Sequence, residues 1–205
     1  MKPHYWDKAV IYLSQKDTVL AKLIENYSDQ HLIKSLDPFH TIIRAIIGQQ
    51  ISVKAAMKIW ERLQERITPL TAENILLSEE ILLKEIGLSY QKINYFKNIA
   101  KFFCEPNFNL EEFLLFEEEI IASELIKIKG VGRWTAEMFL MFHLSSPDIL
   151  PLADIGLIKA IENNYNSSMK MTKDQIFTVS EIWRPYRTVA TWYLWCSLDP
   201  FVINY

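Results

Sequence analysis

Apolar residues recur three and four positions apart along nearly the whole chain, as in Val53, Ala56, Met57, Trp60 and Leu63, and again in Tyr90, Ile93, Phe96, Ala100 and Phe103. That spacing gathers them on one face of an α-helix, whereas a half-buried strand requires strict alternation, which the sequence lacks. Helix starts are expected after Ser14, Ser52, Thr71, Ser78, Ser89, Asn109, Asp154 and Thr172, whose side chains suit an N-cap, and Gly87 reads as a helix stop. The chain is therefore expected to be all-α, built from many short helices. Half of its 205 residues are hydrophobic and 23% are charged, which supports a sizeable core and argues against disorder. No apolar run approaches the roughly 18 residues of a membrane span, and the N-terminus has no signal-peptide core, so a cytoplasmic location is expected. Cys104 and Cys196 cannot by themselves make a tetrahedral zinc or iron–sulfur site and are expected to act as packing residues.

The formal net charge of -3 does not favour a polyanionic partner, so distribution has to decide. Glu105, Glu111, Glu112, Glu117, Glu118, Glu119 and Glu124 form a stretch without Lys or Arg, expected to face away from any polyanion. Lys92, Lys97 and Lys101 lie in a segment without acids, as do Lys127, Lys129 and Arg133, while Arg44, Lys54, Lys58, Arg62 and Arg66 outnumber Glu61 and Glu65. Any one such run is as readily a solvated face; together they permit one basic face on an acidic protein.

Of only five glycines, two fall in Ile128-Lys129-Gly130-Val131-Gly132-Arg133-Trp134-Thr135-Ala136. Ser123 to Ile126 reads as a short helix before this segment and Arg133 to Leu144 as a longer one after it. The result is helix, tight turn, helix. Glycines there permit positive φ and close backbone approach, and they leave amide N–H groups at the start of the second helix available to a phosphate oxygen. Such a turn can grip a nucleic-acid backbone without reading its sequence.

The segment resembles the hairpin of the helix-hairpin-helix (HhH-GPD) DNA glycosylase superfamily, with Leu125 opening the pattern and Leu150-Pro151-Leu152-Ala153-Asp154 following at the expected distance. Arg44 to Ala56, containing Gly48-Gln49-Gln50, and Trp183-Arg184-Pro185-Tyr186-Arg187 through Trp195 are similar to two further blocks of the 3-methyladenine DNA glycosylase II type. The resemblance implies one glycosylase unit over 1–205 with two helical lobes, one of chain ends (about 1–38 and 146–205) and one of about 39–145 containing the hairpin 123–144. A cleft between the lobes is expected to hold the active site. It further implies that Asp154 is the catalytic carboxylate and that Trp134, Met138 and Trp195 line the base pocket. Gln50 falls where relatives insert a wedge into the duplex. Gly130, Gly132 and Thr135, helped by Lys127, Lys129 and Arg133, would bind phosphate. No cofactor is expected beyond a monovalent cation on the backbone carbonyls of Ile126, Ile128 and Val131. The implied partner is double-stranded damaged DNA, with the protein acting as a monomer and without a membrane.

Cleaving a glycosidic bond develops positive charge on the sugar, which a fixed carboxylate stabilises. One carboxylate suffices for an alkylated purine, which already carries positive charge and leaves without a proton from a general acid. Asp154 is also suited simply to cap the helix that follows it, and the two roles are compatible. Bifunctional relatives use a Lys two residues after the second hairpin glycine, where this chain has Trp134. Three other functions remain at this point: excision of hypoxanthine or ethenoadenine, a non-catalytic DNA-binding module, and a helical protein-interaction domain.

Overall fold

In the computed structural model, residues 1–198 are described. Among them are thirteen α-helices, one π-helical turn and no strand. In chain order these are α1 (Trp6–Lys16), α2 (Thr18–Asn26), α3 (Pro38–Gly48), α4 (Val53–Arg66), α5 (Ala72–Leu77), α6 (Glu80–Ile86) and α7 (Tyr90–Phe103). There follow α8 (Leu110–Phe113), α9 (Glu118–Ile126), α10 (Arg133–Phe139), the π-helical turn (Leu140–Leu144), α11 (Ile155–Tyr165), α12 (Lys173–Glu181) and α13 (Arg187–Cys196). No described helix is long and apolar enough to cross a membrane.

Six of the eight expected caps are made: the side chains of Ser52, Thr71, Ser89, Asn109, Asp154 and Thr172 accept amide N–H bonds at the starts of α4, α5, α7, α8, α11 and α12. Gly87 ends α6 at φ 113°. Two expectations fail. Ser14 lies inside α1, and the break falls at Asp17, whose carboxylate is the stronger local acceptor. Ser78 ends α5, and Glu79 precedes α6 without a side-chain cap. The long helix expected from Arg133 to Leu144 is α-helical only to Phe139 and π-helical after it.

The described residues divide into two compact units, one of 1–35 with 140–198, the other of Leu36–Phe139. The second unit is centred on α3, where Phe39, Thr41, Ile42, Ile43, Ala45, Ile46 and Ile47 are all buried. A helix apolar on nearly every side has to be surrounded, and α4, α7 and α10 pack on it. In the first unit α13 is the central element, packed by α1, α2 and α11. Trp6 meets Trp192 edge-on at 5.3 Å between ring centroids. Burial pushes the Cys196 thiol up to about 12, which leaves an inert packing group.

Asp17 fastens this unit. It is 6% exposed; its Oδ1 accepts the amides of Val19 and Leu20 (2.8 and 3.1 Å), and its Oδ2 accepts Tyr165 Oη–H and Trp183 Nε1–H (2.7 and 2.9 Å). Replacing it by alanine removes a helix cap and strands one buried and one half-buried donor, so Asp17→Ala is expected to cost roughly 3 kcal/mol by urea denaturation. A loss below about 1 kcal/mol would show that the node contributes little.

Candidate active site

Asp154 sits at the N-cap of α11, half-buried, with φ -79° and ψ 113°. Its Oδ1 accepts two hydrogen bonds, from the Leu157 amide at 2.5 Å and from the Trp195 indole Nε1–H at 3.0 Å. The indole is itself fixed, because its ring stacks against Phe142 with 6.2 Å between centroids and 5° between planes. The segment leading to Asp154 is tied to the start of α13. Arg187 bonds both carboxylate oxygens of Asp148 (2.7 and 3.0 Å), the Thr188 amide bonds the Pro147 carbonyl (3.0 Å), and the Thr188 hydroxyl bonds the Ser146 carbonyl (2.6 Å). One helix thus holds the segment before the carboxylate and, two turns later, supplies the indole that touches it.

Gly156 is part of this arrangement, although sequence reasoning overlooked it. A Cβ at that position would lie 3.1 Å from Asp154 Oδ1 and 3.7 Å from the Trp195 ring. A side chain there would crowd the carboxylate, which would have to give by a few tenths of an ångström, while the indole would stand at ordinary contact distance. The only signal in the sequence was its place two residues after Asp154.

In the second unit α9 and α10 form the expected hairpin, whose two glycines do different work. Gly130 has φ 109°, and a Cβ there would lie 2.2 Å from the Tyr95 ring, so no other residue fits. Gly132 has nothing within 4 Å of a built Cβ. Packing inside the protein therefore does not explain Gly132, whereas an approaching external group would. The Thr135 side chain is 1% exposed and accepts a bond from Gln49 Nε2 (2.9 Å). Trp134 is half-buried at the start of α10. Met138, expected in a pocket lining, is 1% exposed and serves the core of its own unit. The Ile128 carbonyl accepts the Val131 N–H at 2.9 Å, which leaves one lone pair for any cation; Val131 is buried and Ile126 exposed. Among the described residues no group of three His, Cys, Asp or Glu side chains could hold a metal.

Several of the expected cations already have partners within the protein. Arg133 forks onto both oxygens of Glu119 (2.8 and 3.3 Å) and also reaches Glu137 (3.1 Å). These bonds raise the Arg133 pKa further and hold the Glu119 carboxyl below its usual range. Lys127 pairs with Glu124 at 2.6 Å. The acidic stretch thus turns part of its charge toward the hairpin instead of away from it. Lys92 and Lys97 do not form a basic face: Lys92 Nζ donates to the carbonyls of Ile47 and Gln49 (2.7 and 2.8 Å), and Lys97 Nζ to those of Ile75, Leu76 and Ser78 (2.7, 2.9 and 2.6 Å). Both ammoniums close helix ends, and desolvation lowers the pKa of each. Lys129 is exposed beside Gly130.

Gln50 follows the end of α3. It is exposed and has φ 59°, a conformation that costs a non-glycine residue roughly 1–2 kcal/mol. Strain of this kind persists where the surroundings enforce it and collects at functional positions.

Residues 43–185 match the family described as HhH-GPD superfamily base excision DNA repair protein. DNA-3-methyladenine glycosylase 1 of Schizosaccharomyces pombe is 34% identical over 92% of this chain and 86% of its own length. A putative DNA-3-methyladenine glycosylase of Bacillus subtilis is 30% identical over 89% of this chain, which spans 66% of that protein's length. The structure of the Schizosaccharomyces pombe 3-methyladenine DNA glycosylase in complex with abasic DNA superimposes with a TM-score of 0.83 at 31% identity, over 96% of this chain and all of that one. The 3-methyladenine DNA glycosylase of Archaeoglobus fulgidus gives 0.78 at 26% identity, over 98% of this chain and 77% of that one.

The two hairpin glycines should part company on substitution. Gly132→Ala is expected to fold within about 0.5 kcal/mol of the parent, while Gly130→Ala, strained in φ and driven into Tyr95, should lose more than about 2 kcal/mol. Equal losses in chemical denaturation would contradict the distinction.

Proposed function

The chain belongs to the HhH-GPD superfamily of base excision DNA repair proteins, and from that premise we infer that it is a monofunctional DNA glycosylase that flips and hydrolytically excises alkylated bases, of the 3-methyladenine DNA glycosylase II type. The observation that carries this inference is the doubly bonded Oδ1 of Asp154. An amide and an indole N–H fix the carboxylate in orientation before any substrate arrives, and preorganised charge costs no rearrangement when the reaction begins.

In the proposed reaction the bond from the sugar C1′ to the base nitrogen breaks heterolytically and the electron pair leaves with the base. A cationic alkylated purine becomes neutral in that step and needs no general acid. Asp154 stabilises the positive charge left on the sugar and orients the water that adds to C1′, and that water's surplus proton passes to solvent. The products are a free base and an abasic site. The base reaches the carboxylate only after rotating out of the duplex. The aromatic face of Trp195, beside Asp154, would hold a cationic base, worth roughly 0.5 to 2 kcal/mol. The hairpin amides around Gly130, Gly132 and Thr135 would take a phosphate oxygen, aided chiefly by Lys129, and Gln50 would fill the space the base vacates. A monovalent cation on the carbonyls of Ile126, Ile128 and Val131 would add positive charge beside that phosphate. We propose that the enzyme acts as a monomer on double-stranded DNA in the cytoplasm.

Trp134 cannot form the Schiff base that strand cleavage requires. Product DNA should therefore carry intact abasic sites, and a nicked product trapped by borohydride would contradict this. Asp154→Asn keeps the capping oxygen and removes the charge. Its stability should change by well under ~1 kcal/mol, and binding to an abasic-site duplex should persist. Single-turnover release of 3-methyladenine should fall on the order of 10² to 10³-fold. Retention within about threefold would reduce Asp154 to a helix cap and send the search for the catalytic group elsewhere.

A further inference from the structure

We propose that Lys92 and Gln49 are positioning residues for base flipping, which clamp the turn bearing Gln50 and lock it to the phosphate-binding hairpin. This inference rests on the proposed role of Gln50 as the wedge.

Helix α3 ends at Gly48 without the left-handed glycine cap that would usually close it; Gln49 follows at φ -56° and ψ 124°. Its closing carbonyls are served instead from α7, by the Lys92 ammonium on Ile47 O and Gln49 O at 2.7 and 2.8 Å. Gln49 is also held at its other end. Its side-chain Nε2 donates to Thr135 Oγ1 at 2.9 Å and to the Gly130 carbonyl at 3.3 Å, so one residue bridges the helix end and the hairpin. Immediately after it comes Gln50, exposed and left-handed at φ 59°.

Helix α7 braces both partners of the bridge. Lys92 grips the turn, and Tyr95, one helical turn further on, packs its ring where a Gly130 Cβ would stand, 2.2 Å away. A wedge pushed into a base stack is pushed back by the stack, since unstacking is unfavourable. A turn free to relax from its left-handed conformation would yield. Here the carbonyl and the side chain of the preceding residue are both bonded, so rotation of Gln50 out of its strained backbone would have to break those bonds. Seating a phosphate on the hairpin and aiming the wedge thereby become a single placement.

The test is a double-mutant cycle read by flipping, not by stability. A duplex with 2-aminopurine beside 7-methylguanine brightens when the lesion leaves the stack, and stopped-flow fluorescence gives the rate. Gln50→Ala, Lys92→Met and Gln49→Leu should each slow flipping about tenfold, and adding either clamp substitution to Gln50→Ala should cost less than about twofold more. Binding of the Lys92→Met variant to an abasic-site duplex should stay within about threefold of the parent. A full tenfold loss from Lys92→Met or Gln49→Leu in the Gln50→Ala background would overturn the clamp and leave the two residues as general packing elements. Unchanged flipping in Gln50→Ala alone would remove the wedge role and this inference together, while base release by the parent would still stand as evidence for the glycosylase itself. Should the Lys92→Met chain fail to fold, the cycle on Gln49→Leu decides alone.

Discussion

A helix leaves four amides unpaired at its start and four carbonyls unpaired at its end, and a chain made of short helices meets that demand again and again within a few residues. Here the groups that meet it include residues to which chemistry is proposed. Asp154 accepts an amide at the start of α11, and the same oxygen takes the Trp195 indole. Asp17 caps α2 and gathers Tyr165 and Trp183. Lys92 closes α3. Capping fixes a side chain at its backbone, so the same bond that completes a helix also immobilises the functional group.

The all-α class and most helix starts were legible because they depend on local rules: apolar spacing, capping side chains and a single Gly stop. The hairpin was legible because glycine scarcity marked it, and Asp154 was legible as a helix cap because its side chain suits that position. Partnerships between distant residues were not legible. A lysine that closes the end of a remote helix looks, in sequence, like a lysine for phosphate, and Lys92 and Lys97 were read in that way. Glu119 and Glu124 were assigned to a distant face because nothing local announces that α9 brings them beside Arg133 and Lys127. Gln49 stood next to the residue chosen as a wedge and carried no mark of its own, since its significance lies in contacts 81 and 86 positions away. Gly156 was missed because its value is an absent Cβ beside the Asp154 carboxylate.

The electrostatics follow from these pairings. With Arg133 and Lys127 engaged by acids, and Lys92 turned onto carbonyls, the attraction of the proposed hairpin site for an anion would rest mainly on neutral amide dipoles and on Lys129. Amide donors act at short range and fall off within a turn, whereas a field of free lysines would draw a polyanion from afar. On that proposal, an acidic chain with a net charge of -3 would hold a backbone closely once it is met. The ion pairs around Arg133 also tie the start of α10 to Glu119 and Glu137.

The Asp17 node has a consequence for synthesis on the ribosome. Its bonds run to Tyr165 and Trp183, 148 and 166 positions downstream, so the N-terminal helices of the first unit emerge long before their partners exist. The second unit, contiguous from Leu36 to Phe139, can collapse as it leaves the exit tunnel. At ordinary elongation rates the wait for Trp183 is on the order of ten seconds. Through that interval Trp6, Leu13 and Leu20, all fully buried at the end, are apolar surface on a nascent chain. Those first helices are therefore where a chaperone would find its substrate during translation, and where slowing the ribosome downstream would most prolong exposure.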